Sequence, residues 1–317
     1  MSTAGLFSVP GTTPRVSFEL YPPRSPAAQE RLTRTVAELA AARPDFFSVT
    51  YGAAGRTHAT SRGLIRQILA ETDVTPIAHL TCVGASREEL RVTVEELLED
   101  GVRDVLALRG DPPTGGAPWE PHPRGLTRAA ELVGLLREIE SERFELAEGQ
   151  PRPLSISVAA YPARTFQAAQ GSVLAAPRDL EALHAKQEAG ADFAITQLFY
   201  SAPEYAAHVE AARAAGIRLP IVPGVIPLTD LARLQRLTQL TGVPVPEALE
   251  LRLSAARDAD EQYRIGLAAS IELVEELLAV GAPGLHLYTF NTSRAALDLL
   301  RGAGLREPAP STSAAHR

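Results

Sequence analysis

Short apolar or β-branched runs alternate with longer amphipathic segments eight times along this chain of 317 residues, and that rhythm leaves few folds open. The runs are Arg15–Leu20, Phe46–Thr50, Pro76–Thr81, Arg103–Leu108, Leu154–Ala159, Asp192–Gln197, Leu219–Pro223 and Gly284–Tyr288, each of strand length. Between them, apolar residues recur three and four apart. Over Ser86–Asp100, Leu90, Val94, Leu97 and Leu98 share one helical face, while Arg87, Glu88, Arg91, Glu95 and Glu99 are left for solvent. Gly101, Gly190, Gly216 and Gly281 each sit just before the next strand, as helix stops do, and Ser86 and Asp179 precede or open helices. Eight strands each followed by helix predict an α/β fold, a (β/α)8 TIM barrel. A single catalytic domain is expected over residues 15–303, with extra helices between Pro244 and Val280 before the last strand. A doubly wound nucleotide-binding sheet would place a glycine-rich fingerprint after the first strand, where this chain has Tyr21-Pro22-Pro23-Arg24. Residues 1–14 and 304–317 are polar, rich in small side chains, and read as flexible tails.

Composition narrows the partners. Lys and Arg number 31 against 38 Asp and Glu, a net charge of −7, which leaves no basic excess for a phosphate backbone and argues against nucleic acid. One cysteine, Cys82, excludes an internal disulfide framework and a cysteine metal cluster, and His58, His79 and His122 do not fall at metal-ligand spacings, so no metal is expected. No basic-then-apolar leader and no apolar run of about 18 residues is present, so a soluble cytoplasmic protein without membrane contact is expected.

In a barrel of this kind, chemistry belongs at the C-terminal ends of the strands. Those ends carry Glu19, Thr50, His79, Arg109-Gly110-Asp111, Tyr161, Gln197 and the stretch Tyr288–Asn291. Glu19 lies between Phe18 and Leu20, surroundings that raise a carboxyl pKa and suit a general acid; the plainer reading pairs it with Arg24 or another cation. His79, between Ala78 and Leu80, reads first as a core histidine. Gly110 between Arg109 and Asp111 allows close backbone approach to a flat ligand, with Arg109 for a phosphate or carbonyl and Asp111 for ring N–H groups, or else the two charges simply cap the turn. Gln197 offers both a donor and an acceptor to a heterocycle edge, or bonds a neighbouring loop. Tyr161 and Tyr288 could stack on a ring or line the mouth. Lys186 and Arg128, within helical segments, could neutralise a phosphate, though a solvated helix face is the simpler reading for either.

The ordered motifs Val16-Ser17-Phe18-Glu19-Leu20-Tyr21-Pro22-Pro23-Arg24, Val49-Thr50-Tyr51-Gly52-Ala53, Ala78-His79-Leu80-Thr81-Cys82, Leu108-Arg109-Gly110-Asp111, Val158-Ala159-Ala160-Tyr161-Pro162, Ala194-Ile195-Thr196-Gln197 and Leu285-His286-Leu287-Tyr288-Thr289 closely resemble the methylenetetrahydrofolate reductase family. The resemblance implies a barrel holding FAD that takes hydride from NAD(P)H and reduces 5,10-methylenetetrahydrofolate to 5-methyltetrahydrofolate, the two substrates using one flavin face in turn. It implies Glu19 as the general acid that protonates N10 of the folate, and Asp111 as the carboxylate beside flavin and pterin. Thr50, His79, Arg109, Gly110, Asp111, Tyr161, Asp179 and Lys186 match flavin-contacting positions; Glu19, Gln197, Tyr288 and Arg294 match the substrate side. A homo-oligomer is implied as well. The chain departs from the pattern at Ala163-Arg164-Thr165-Phe166-Gln167-Ala168, and Arg294 stands two residues beyond the place where an arginine often follows the asparagine. Two alternatives therefore stay open: direct hydride transfer from NAD(P)H without flavin, and a folate-binding methyltransferase or demethylase barrel.

Overall fold

The computed structural model describes residues 3–7, 13–50, 55–82, 84–110, 122–146, 149–162 and 176–306. Its strands are β1 (Arg15–Leu20), β2 (Phe46–Val49), β3 (Thr75–Thr81), β4 (Asp104–Leu108), β5 (Ser155–Ala160), β6 (Phe193–Thr196), β7 (Ile221–Val222), β8 (Gly224–Val225) and β9 (Gly284–Tyr288). All pair in parallel, in the order β7-β6-β5-β4-β3-β2-β1-β9-β8. The run expected as one seventh strand is split at Pro223, which has no N–H to give the ladder. Its first half bonds β6 and its second half bonds β9, so the two halves act as one stave and bring the sheet back on itself. The Pro223 carbonyl still accepts from His286 N at 2.9 Å. The predicted TIM-barrel class holds, with nine short strands in place of eight.

The helices outside the barrel are α1 (Pro26–Ala41), α2 (Gly55–Glu71), α3 (Arg87–Glu99), α4 (Ala129–Arg143), α5 (Ala176–Glu188), α6 (Ala202–Ala214), α7 (Leu231–Thr241), α8 (Glu247–Ser254), α9 (Ala259–Ala279) and α10 (Arg294–Gly302). The stop glycines behave as the pattern requires: Gly101, Gly190, Gly216 and Gly281 have φ of 90°, 101°, 80° and 89°. Ser86 caps α3 in a reciprocal box with Glu89. The extra helices expected before the last strand are α8 and α9.

Apolar faces of strands and helices form the outer core layer, while Phe46, Ile77, Leu106, Phe193, Ile195 and Val222 fill the barrel interior. The lower end is closed by the chain's own beginning. Thr3–Leu6 form a 3-10 turn in which Thr3 is buried, its N and Oγ1 donating to Asp104 Oδ1 at 2.8 and 2.6 Å, with Ser155 Oγ 2.8 Å away. Phe7 packs against Phe193 with ring centroids 4.9 Å apart and the rings tilted by 45°. This part of the expected N-terminal tail is thus built into the barrel, because two apolar side chains and a buried carboxylate give it partners. On the C-terminal side, Arg306 reaches Asp45 at 3.0 Å. Among the described residues no helix is long and apolar enough to cross a membrane.

Candidate active site

Alternation along β1 turns Ser17 and Glu19 inward, between outward Val16, Phe18 and Leu20 that are fully buried under the helices. Glu19 is the last inward residue, so its carboxyl stands at the upper rim with a quarter of the side chain exposed (25%). Its register partners are Ser48 on β2 and Tyr288 on β9. The basic side chain nearest to it is His79, with Nε2 at 3.9 Å, and no Arg24 pairing exists among the described residues. Desolvation by the barrel wall raises Glu19 from 4.5 to about 7, and the same burial pushes His79 down to about 3. Near neutrality Glu19 therefore keeps a proton on a large fraction of molecules, while His79 carries no charge to draw it off. His79 Nε2 is buried without a hydrogen-bond partner among the described residues.

Tyr288 donates from its hydroxyl to Thr196 O at 2.8 Å, bracing β9 against β6 across the short staves β7 and β8. Burial, then the nearby Glu19 carboxyl and Tyr161, hold its phenol well above the ordinary range. The brace depends on Gly224, where any Cβ would meet Thr196 O at 2.3 Å and the Tyr288 ring at 2.7 Å. Two left-handed residues follow, Phe290 (φ 52°) and Asn291 (φ 56°). Asn291 exchanges hydrogen bonds with the Tyr21 backbone at 3.0 and 2.7 Å, and Thr289 Oγ1 donates to Glu19 O at 2.7 Å. This clamp locks the strand that carries Glu19 to the last strand.

A second group gathers beyond β4 and β5. Lys186, in the last turn of α5, is buried rather than solvated; its Nζ donates to Ala159 O at 2.8 Å and lies 5.8 Å from the centre of the Tyr161 ring. Burial lowers it to about 8, with Asp179 opposing the shift and Arg109 adding to it, so these three charges share one field. Gly110 takes φ 93°, which only glycine adopts without strain, and leaves Arg109 at the rim. The composition carries a signal for Lys186: of the 31 cationic residues it is the one lysine, every other being arginine. A point charge on a thin stem suits the place between Ala159 O and the Tyr161 face.

Gln197 is exposed at the end of β6, its Oε1 accepting from Leu198 N at 2.9 Å, which leaves the amide nitrogen at the mouth. Thr50 N bonds Leu20 O at 2.9 Å at the top of β2, and Thr50 O accepts from Ser61. Arg294 does not join the others: its guanidinium packs on Tyr263 at 4.2 Å and faces Asp298. Arg128 stays at the α4 N-terminus. Asp111 and the segment 163–168 lie outside the described residues.

A rim supplied with expected residues from the ends of seven strands can be set beside known proteins. The family model described as "Methylenetetrahydrofolate reductase" matches residues 9–304. The chain belongs to that family. It is 32% identical over 292 residues to the 5,10-methylenetetrahydrofolate reductase of Salmonella typhimurium, covering 92% of this chain and 91% of that protein. The Escherichia coli protein of the same name is 30% identical with the same coverage. Against "Methylenetetrahydrofolate reductase (NADH) 1" of Zea mays, identity is 32% over 92% of this chain but only 48% of the maize protein. Among solved structures, a Clostridium thermocellum protein described as binding two copies of 5-methyl-5,6,7,8-tetrahydrofolic acid superposes with a TM-score of 0.57 at 13% identity, covering 92% of this chain and 94% of that one, a likeness of fold alone.

Proposed function

We propose that the chain reduces 5,10-methylenetetrahydrofolate to 5-methyltetrahydrofolate with NAD(P)H through bound FAD, in the cytoplasm and as a self-associating enzyme. The observation that carries this reading is the placement of Glu19 at the rim of a barrel of this family, where burial pushes its carboxyl pKa up to about 7. Reduction of the methylene bridge consumes one hydride and one proton. The hydride originates on the nicotinamide; the proton must come from a group that is an acid at working pH and touches the departing nitrogen. Glu19 fills that role: it protonates N10, the five-membered ring opens, and the N5 iminium so formed accepts hydride. Gln197 orients the pterin or nicotinamide edge, Tyr288 borders the same space, and Asp111 favours the cationic iminium by its charge.

The residues present suit FAD. His79 offers an unmatched ring nitrogen, Gly110 lets backbone approach a flat ring, and Arg109 with Lys186 supply positive charge for phosphates beside Tyr161 and Asp179, with Thr50 at the top of β2. When bound, FAD would store the hydride between the two substrates. Lys186→Gln is expected to weaken FAD retention by about 10–100-fold, the loss of one charge-assisted hydrogen bond, and Lys186→Arg to weaken it as well. Equilibrium dialysis with flavin fluorescence measures both.

The deciding experiment follows NAD(P)H oxidation by the purified protein with and without methylenetetrahydrofolate, identifies the folate product, and records the absorption spectrum. A yellow protein forming 5-methyltetrahydrofolate supports the reading. A colourless but active protein would favour direct hydride transfer, and folate binding without nicotinamide oxidation would favour the methyltransferase or demethylase alternative.

A further inference from the structure

Directly below Glu19 the barrel interior turns polar. Ser17 precedes Glu19 by two residues and shares its face of β1, Ser48 is the register partner of Glu19 on β2, and His286 on β9 is the register partner of Ser17. These three buried side chains from three staves meet: His286 Nδ1 lies 2.8 Å from Ser17 Oγ, and His286 Nε2 lies 3.1 Å from Ser48 Oγ. Phe46 stacks on the imidazole at 5.7 Å and the Tyr288 ring meets it edge-on at 5.6 Å, so the ring cannot turn freely.

Counting hydrogens assigns the direction of this chain. Ser17 Oγ donates to Leu285 O at 3.2 Å, which spends its one hydrogen. Toward His286 it can then only accept, so Nδ1 carries the ring hydrogen. Nε2 is left as the acceptor and takes the Ser48 hydroxyl hydrogen. Every hydrogen in the set then has an acceptor. The opposite tautomer would release the Ser48 hydrogen from His286, and Ser48 is the register partner of Glu19 on the neighbouring stave.

We propose that Ser17, His286 and Ser48 form a one-directional hydrogen-bond chain that withholds a donor from Glu19, which makes them positioning residues for its proton. A carboxylate is stabilised by each donor aimed at it, whereas the neutral acid needs only an acceptor. Holding the Ser48 hydrogen inward therefore penalises the ionised form alone. Among the described residues, the titratable groups facing Glu19 from other staves do not offset this: His79 on β3 and His286 on β9 are neutral in their buried positions, Tyr288 gives its hydrogen to Thr196 O, and Tyr161 stands beyond β5.

The inference rests on the reading of Glu19 as the proton donor, and its test separates the two. Rates of methylenetetrahydrofolate-dependent NAD(P)H oxidation are measured from pH 5.5 to 9 for the wild type, Ser17→Ala, Ser48→Ala and the double variant. Ser17→Ala strands the Nδ1 hydrogen, favours the other tautomer and lets Ser48 donate outward, so the alkaline fall in rate should move about one pH unit lower. Ser48→Ala should show no downward move, and adding it to Ser17→Ala should restore the wild-type position. Ser17→Cys serves the same comparison if the alanine variant does not fold, and the infrared band of the protonated Glu19 carboxyl follows the same shift without turnover. An unmoved profile in Ser17→Ala, a uniform loss at every pH, or a double variant that stays shifted overturns the proposal. Absence of folate-dependent oxidation in the wild type would instead overturn the functional reading beneath it.

Discussion

Glu19→Gln should slow methylenetetrahydrofolate reduction by about 10²–10⁴-fold while leaving NAD(P)H oxidation by an artificial acceptor near the wild-type rate. The amide keeps the shape and hydrogen-bonding reach of the acid but has no proton to release to N10. Equal loss in both half-reactions, read by stopped-flow absorbance, would make Glu19 a structural residue. Wild-type folate reduction should also fall tenfold per pH unit above about 7, where the acid form is depleted. Stability provides an independent check. The folded-state pKa is raised from 4.5 to about 7, so the folded protein holds this proton more tightly than the unfolded chain does. The stability linked to it is fully present below pH 4.5 and is lost as pH rises through 7, a change of about 3 kcal/mol. Glutamine does not titrate, so the variant should match the wild type near pH 4 and exceed it in denaturant melts at pH 8. A stability gap that does not depend on pH would count against a neutral Glu19.

Glu140→Ala should cost about 3 kcal/mol of stability and lower the melting temperature by about 5–10 °C, with the site chemistry spared. Glu140 is fully buried on α4 and holds Arg137 at 2.9 Å, Arg152 at 2.9 Å and Leu154 N at 2.8 Å. Arg137 itself is buried, tying α4 to Gly190 O and to Asp192 at 2.6 Å before β6. Removing the carboxylate strands much of that charge inside the helix–strand layer. A loss below about 1 kcal/mol by thermal melting would mean that Asp192 alone neutralises Arg137. The ion pairs among α2, α3 and α4, such as Arg62 with Asp100 and Arg91 with Glu142, are more exposed, and single deletions there should matter far less.

The barrel was legible because its signals are local. Strand-length runs, stop glycines and Ser86 capping each act within a few residues, and the rim residues Glu19, His79 and Gln197 follow from strand ends alone. What stayed hidden depends on contacts distant in sequence. Pro223 divides a strand only because β6 and β9 flank it on opposite sides. Lys186 reads as a solvated helix residue until Ala159 and Tyr161 are brought over it, although a chain with one lysine among its cations already sets that position apart. Ser17, Ser48 and His286 look like ordinary small or core residues, since nothing along the chain announces that three staves will bring them together. Arg294, set on the substrate side by the resemblance, packs on Tyr263 and faces Asp298, contacts that the sequence alone does not announce.

The turn formed by Thr3–Leu6, with Phe7 packed on Phe193, covers the end of the barrel opposite Glu19. Glu19 stands partly exposed at the other end, so a ligand seated across that opening would cut the acid off from bulk water. On the proposed reading, a proton given up by Glu19 would be replenished while that opening stands uncovered, which would tie recharging of the acid to the departure of product.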